Sequence, residues 1–142
     1  MNMQYTRQLN DAVETLLNRV PEFAIARAQD SSFMSHGNDD IPYLVFGDFG
    51  LFLRQYLAAG RGRLEDESIV QSGFGLLDEM LTSNDAELMN LVQIGVFEGL
   101  ANTPELLAIA KDYLSDEAKS VLEVWLGKWL AWANESEEQQ LQ

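Results

Sequence analysis

Four side chains form the one group in the sequence that could do metal or acid–base chemistry. His36, Asp39, Asp40 and Asp48 combine a histidine with carboxylates, a set that could bind a hard divalent cation. Turn chemistry explains the loop residues equally simply, because Asp39 and Asp40 precede Pro42, where such side chains cap helices. We favour the capping interpretation, and a small metal-dependent hydrolase is the least favoured alternative.

Other catalytic patterns are missing from the sequence. The chain has no cysteine and one histidine, which excludes disulfides, thiolate sites and histidine-rich metal sites within one chain. The triplet Asp48-Phe-Gly50 matches a kinase metal-binding motif, but no glycine-rich phosphate loop or catalytic loop accompanies it. We therefore predict a non-enzymatic protein with no cofactor, no metal and no catalytic residues. Asp48 is expected to accept a hydrogen bond or an arginine from a neighbouring helix.

The charge of the chain is strongly negative and unevenly distributed. The 142 residues contain 23 acids and 9 Lys or Arg, giving −14. Residues 1–63 hold six arginines and seven acids, for −1, whereas residues 64–142 hold three lysines and sixteen acids, for −13. Such a charge argues against binding nucleic acid or an anionic membrane, and it favours a cationic protein partner.

The stretch from Leu64 to Ala110 has no Lys or Arg but nine acids. Helices usually mix charges, because pairs four residues apart stabilise them. We predict that this stretch presents an acidic partner-binding surface, with a merely solvated surface as the alternative. The candidate partner-binding residues are Glu65, Asp66, Glu67, Asp78, Glu79, Asp85, Glu87, Glu98 and Trp132.

Trp132 belongs to a ladder of large aromatic side chains near the C-terminus. Trp125, Trp129 and Trp132 follow a helical spacing of four and three residues. Aromatic residues at this spacing usually face the core, which we favour over an interface. Trp132, nearest the polar end, is the one most expected to be exposed.

The elements that position these residues are all predicted to be helical. Proline and N-cap residues mark most of the starts. Seven helices are expected, over about Tyr5–Val20, Pro21–Ala28, Pro42–Gly60, Leu64–Thr82, Asn84–Leu100, from Thr103, and from Ser115 to Asn134. Asn84 and Glu87 resemble a capping box that opens the fifth helix, whose broad apolar surface places it centrally. The expected architecture is one all-α domain over residues 1–134, either an antiparallel bundle or a short HEAT-like stack, followed by a polar tail over 135–142.

No signal peptide and no clean membrane-spanning segment is recognisable, so the cytoplasm is the expected location. The oligomeric state is left open.

Two segments resemble a known class of proteins. They are Ile41–Leu53 (IPYLVFGDFGLFL) and Asn84–Leu100 (NDAELMNLVQIGVFEGL), about thirty residues in all. They are similar to small all-helical bacterial immunity-type proteins of uncharacterised-domain families, encoded beside polymorphic or contact-dependent toxins. The resemblance implies a cytoplasmic, non-catalytic protein that binds and neutralises a cognate toxin, and it carries no family-defined binding residues. A general helical adaptor for protein–protein interaction remains the alternative.

Overall fold

The computed structural model of the chain describes residues 7–30, 33, 41–59 and 64–141, with side chains described for all of these except 64, 65 and 133–141. Over these residues the chain is all-α, as predicted, and it contains seven helices and no strand. The first four are α1 (Arg7–Arg19), α2 (Pro21–Gln29), α3 (Pro42–Ala59) and α4 (Leu64–Leu81). Helix α5 begins with Ala86–Val92, passes through one π-helical segment, Gln93–Phe97, and ends with Glu98–Leu100; α6 is Pro104–Lys111 and α7 is Asp116–Leu141.

The start of α5 differs from its predicted start by one residue. Asn84 has a positive φ of 61°, which takes it out of the extended conformation that an N-cap residue adopts. Asp85 is the cap instead, and its Oδ1 accepts hydrogen bonds from the backbone N–H groups of Glu87 (3.0 Å) and Leu88 (3.3 Å). The predicted capping box with Asn84 at its head is therefore wrong, and the helix begins one residue later than predicted.

Helix α3 is the centre of the core. It packs against α1, α2, α4, α5 and α6. Phe46, Phe49 and Phe52 project from it into the core, and Phe23 from α2 meets Phe49 and Phe52 with ring centroids 5.2 and 5.4 Å apart. Tilted aromatic pairs at these distances add about 1 kcal/mol each beyond the area that they bury. Most of the core side chains thus converge on one helix.

Helix α5 crosses α3 at close range. A Cβ atom placed on Gly95 would lie 2.9 Å from the Cβ of Phe46, and one placed on Gly50 would lie 3.4 Å from the Cα of Val96. The crossing coincides with the π-helical segment, which adds one residue to a turn. Helix α5 also packs against α1, α4 and α6, as expected of a central helix.

Helix α7 is the longest helix among the described residues, and its described side chains after Leu126 are exposed or partly buried. It packs against α4, and Leu126 is the last buried residue among its described side chains. The helical backbone nevertheless continues to Leu141, seven residues beyond the predicted end at Asn134. Residues 135–142 were predicted to be a tail outside the domain, but all of them up to Leu141 belong to this helix.

Candidate binding surfaces

The candidate acids of the cation-free stretch lie on α4, α5 and the connection between them, two helices that pack side by side. The structure separates these acids into two groups. Four of them hold parts of the fold together, and the others have side chains that are exposed, partly buried or, for Glu65, outside the described side chains.

Glu79 joins α4 to α1. The guanidinium of Arg19 donates to both of its carboxylate oxygens, with Nη2 at 2.9 Å from Oε1. The hydrogen bond from Arg19 lowers the pKa of Glu79, and the same bond raises the pKa of Arg19. Both side chains are about half exposed, so solvent screening limits the stability that the pair contributes to the order of 1 kcal/mol or less.

Asp78 joins α4 to the start of α7. Its Oδ2 accepts the backbone N–H of Ser115 at 2.5 Å, and its Oδ1 accepts the hydroxyl of Ser115 at 3.1 Å. The Ser115 hydroxyl oxygen in turn accepts the backbone N–H of Ala118 at 3.2 Å. Asp78 therefore orients the residue that caps α7, and its negative charge lies near the positive end of that helix dipole.

Glu67 and Asp85 also have structural partners. The hydroxyl of Tyr113 donates to Oε2 of Glu67 at 3.0 Å, which links α4 to the turn before α7. Asp85 caps α5 as described above, and its own backbone N–H donates to the hydroxyl of Ser83 at 3.1 Å. Both carboxylates therefore accept hydrogen bonds from uncharged groups of the fold.

The outer side of α5 carries the most accessible candidates. Glu87 and Glu98 are both exposed, and Asn90 and Ile94 are exposed between them, with Ile94 46% exposed. Asp66 on α4 is partly buried, and its charge adds to burial in raising the pKa of Tyr56. A partner that approaches α5 would therefore meet two carboxylates that flank an apolar side chain.

The three tryptophans of α7 become more exposed towards the C-terminus. Trp125 packs against the core, Trp129 is partly buried, and Trp132 is 63% exposed, which confirms the expectation for Trp132. The rings of Trp125 and Trp129 lie 6.3 Å apart. The core interpretation therefore holds for the first tryptophan only.

A groove of about 460 Å³ runs beside α3. Phe33, Leu51 and Ala58 form its apolar walls, and Arg54 and Gln55 are its polar lining residues. The Arg54 guanidinium donates to the hydroxyl of Thr103 at 3.1 Å, which ties α3 to the start of α6. None of the described side chains that line this groove is acidic.

The possible metal ligands are only partly described. His36, Asp39 and Asp40 lie outside the described residues, and the described part of the chain contains no cluster of three or more metal-ligating side chains. Asp48 is fully buried in α3 and makes a polar contact, in keeping with its expected structural role. Among the described helices, none combines the length and the apolar character that crossing a membrane requires.

Comparison with known proteins gives one family. No curated protein and no solved structure matches the chain. A family model described as a domain of unknown function, DUF7674, matches residues 13–129, which include α2 to α6 and most of α1 and α7. Because that match covers most of the sequence, the chain belongs to the DUF7674 family.

Proposed function

We propose that the protein is a cytoplasmic, non-catalytic binding protein that docks a cationic partner protein through the acidic surface of α4 and α5. The observation that carries the proposal is the distribution of charge. The stretch 64–110 contains no Lys or Arg. It forms the neighbouring helices α4 and α5, the turn between them, and most of α6.

Part of this charge is paired within the fold, since Arg19 forms an ion pair with Glu79. Residues 64–110 add no Lys or Arg of their own that could neutralise the remaining acids. Asp78 and Asp85 accept hydrogen bonds from uncharged backbone and hydroxyl groups, which bring no cation to these carboxylates. Their summed potential would accelerate the approach of a cationic partner and orient it before contact.

The partner that fits this surface is a protein with a basic cleft. The sequence resemblance to immunity-type proteins implies a toxin domain encoded beside this gene. Toxins that act on nucleic acid or translation need a basic cleft for phosphates, and an acidic helical surface can occupy such a cleft in place of the phosphates. Exposed Ile94 would supply an apolar contact between Glu87 and Glu98.

The test compares two variants that lose the same amount of charge in different places. Glu87→Gln combined with Glu98→Gln removes two exposed carboxylates from α5, and Glu14→Gln combined with Glu22→Gln removes two from α1 and α2. Each pair includes one residue from the first turn of a helix. Glu67, Asp78 and Glu79 are unsuitable, because their substitution would also disturb the fold.

Binding is measured by surface plasmon resonance against the purified product of the adjacent open reading frame, at several salt concentrations. We expect the α5 variant to associate about 3- to 10-fold more slowly and to show a weaker salt dependence, while the control changes by less than about 2-fold. Equal losses in both variants would show that the overall charge, and not the surface of α4 and α5, drives association, and would contradict the proposed location. Strong binding that neither variant weakens would contradict the acidic-surface proposal.

A further inference from the structure

One side of α5 is exposed at every fourth residue. Ala86, Asn90, Ile94 and Glu98 are exposed, whereas Phe97, next to the last of them, is fully buried. A regular α-helix has about 3.6 residues per turn, so residues spaced by four drift around its axis by about 40° at each step. Side chains at this spacing would therefore wind round a regular helix instead of staying on one side.

The π-helical turn of α5 keeps these residues in line. The backbone N–H of Glu98 donates to the carbonyl of Gln93, five residues earlier, so this turn holds one extra residue. In a regular helix, Asn90 and Glu98 would be offset by about 80° around the axis, and one extra residue takes up about 100°, which leaves about 20°. Asn90, Ile94 and Glu98 thus form a nearly straight row, the α5 row, about 12 Å long.

The buried side of the same turn holds the row in place. A Cβ atom on Gly95, which follows Ile94, would lie 2.9 Å from the Cβ of Phe46, so α5 rests closely on α3 beneath the row. Val96 and Phe97 are buried there. A row fixed on a packed helix loses little conformational freedom when a partner binds it.

The α5 row offers three kinds of contact. The side-chain amide of Asn90 can donate and accept hydrogen bonds, and the carboxylate of Glu98 can accept two from one guanidinium. Ile94, 46% exposed between them, offers an apolar contact. Glu87 adds an exposed carboxylate one turn before Asn90. This combination fits a protein surface that carries arginines or lysines around an apolar side chain.

Helix α4 is less suited to direct contact. Its acids Glu67, Asp78 and Glu79 all accept hydrogen bonds from other parts of the fold. We infer that α5, and not α4, contacts the cationic partner, and that it enters the basic cleft lengthwise with the α5 row against the cleft. This inference rests on the proposed function and adds the helix, its orientation and the residues in contact. Helix α4 contributes charge at longer range.

Single cysteines can report which side chains the partner covers, because the chain has none of its own. Asn90→Cys, Ile94→Cys and Glu98→Cys lie in the α5 row, and Ser72→Cys is the control, at an exposed position of α4. Iodoacetamide should alkylate all four quickly in the free protein, as measured by mass spectrometry. A saturating amount of the purified product of the adjacent open reading frame should slow alkylation in the row by about tenfold or more, and at the control by less than about 2-fold.

Two outcomes of this labelling would overturn the inference. Protection of Asn90→Cys without protection of Glu98→Cys would mean that the contact winds around α5 as it would on a regular helix. Protection of Ser72→Cys equal to that of the row would mean that α4 is in contact as well.

Ile94→Ser separates this inference from the proposed function. The substitution leaves the charge unchanged, so association and its salt dependence should change by less than about 2-fold, while dissociation should become about tenfold faster. Ile25→Ser on α2, where the side chain is 58% exposed, is the control and should change neither rate.

The two proposals fail in different ways. If Glu87→Gln combined with Glu98→Gln slows association but Ile94→Ser leaves dissociation unchanged, the proposed function stands and the lengthwise contact of α5 is wrong. If the adjacent product does not bind the unaltered chain, both are contradicted.

Discussion

Gly95 and Gly50 make the close crossing of α3 and α5 possible. At Gly95 the nearest foreign atom to a new Cβ would be the Cβ of Phe46, at 2.9 Å, and that atom is fixed to the backbone of α3. Phe46 is fully buried, so neither its side chain nor its backbone can give way easily. The absence of a side chain at position 95 therefore sets how near the two central helices approach.

Gly95→Ala should destabilise the protein by about 1–3 kcal/mol, because the added methyl group forces the two helices apart. Gly75→Ala is the matched control. Gly75 is an exposed residue in the middle of α4, and no atom lies within 4 Å of the Cβ that the substitution would add. That control should stabilise the protein by up to about 1 kcal/mol, because alanine favours helix more than glycine does. Urea unfolding followed by circular dichroism measures both, and a Gly95→Ala variant as stable as the parent would contradict this account of the crossing.

The backbone angle φ of Asn84 determines which residue caps the start of α5. Asn84 and Asp85 are both residue types that cap helices, so the sequence alone does not separate them. The positive φ of Asn84 turns the chain at the end of the preceding connection and leaves Asp85 in the extended conformation of an N-cap. The carboxylate of Asp85 then satisfies two backbone N–H groups that the helix itself leaves without partners.

Asp85→Ala should therefore lower the free energy of unfolding by about 1 kcal/mol, within a range of about 0.5–2 kcal/mol. Asn84→Gly should leave stability unchanged or raise it slightly, because glycine adopts a positive φ without strain. The two variants are compared by thermal and urea unfolding under identical conditions. If Asn84→Gly were as destabilising as Asp85→Ala, the cap would belong to Asn84 after all.

Most of the helices could be predicted from the sequence, because local signals mark their starts. Pro21, Pro42 and Pro104 begin helices where predicted. The polar sequence after Asn134 predicts an early end for α7, but residues 133–142 contain no Gly or Pro and many good helix formers, and the helix continues to Leu141. The π-helical turn of α5 could not be predicted. The helix is apolar on most sides, so the spacing of its apolar residues shows no shift that would reveal an extra residue in one turn.

The roles of the acids could not be predicted, because they depend on contacts between distant parts of the chain. Glu79 meets a residue 60 positions away, and Glu67 and Asp78 meet residues 46 and 37 positions away. The distribution of charge along the sequence identified the stretch that contains these acids, but not their individual contacts. The packing of α4 against α1 and the region of α7 gives Glu67, Asp78 and Glu79 partners in distant parts of the fold.

For the whole molecule, nine acids in a stretch that has no Lys or Arg of its own imply repulsion within the folded state. The acids of residues 64–110 are confined to a compact set of helices, whereas in the unfolded chain they move apart. A net charge of −14 should therefore lower stability at low ionic strength. Glu98 is suited to a test, because its side chain is exposed and none of the side-chain hydrogen bonds or ion pairs between described residues involves it.

Glu98→Lys should raise the free energy of unfolding by about 0.3–1 kcal/mol at about 0.02 M NaCl, because it relieves like-charge repulsion. The gain should largely disappear at about 0.5 M NaCl, where salt screens the charges. Glu14→Lys, in the half of the chain that already holds the arginines, should give a smaller gain. Thermal unfolding at the two salt concentrations measures the difference, and a gain that persists at high salt would point to a cause other than repulsion.

Because all three tryptophans lie on α7, the intrinsic fluorescence of this protein reports mainly on that helix. Trp125, Trp129 and Trp132 dominate the intrinsic fluorescence, so an emission spectrum describes the C-terminal helix and little else. Circular dichroism, by contrast, averages over all seven helices. If the two signals change together during unfolding, α7 is cooperative with the body of the protein. If the fluorescence changes first, α7 detaches while the helices around α3 remain folded.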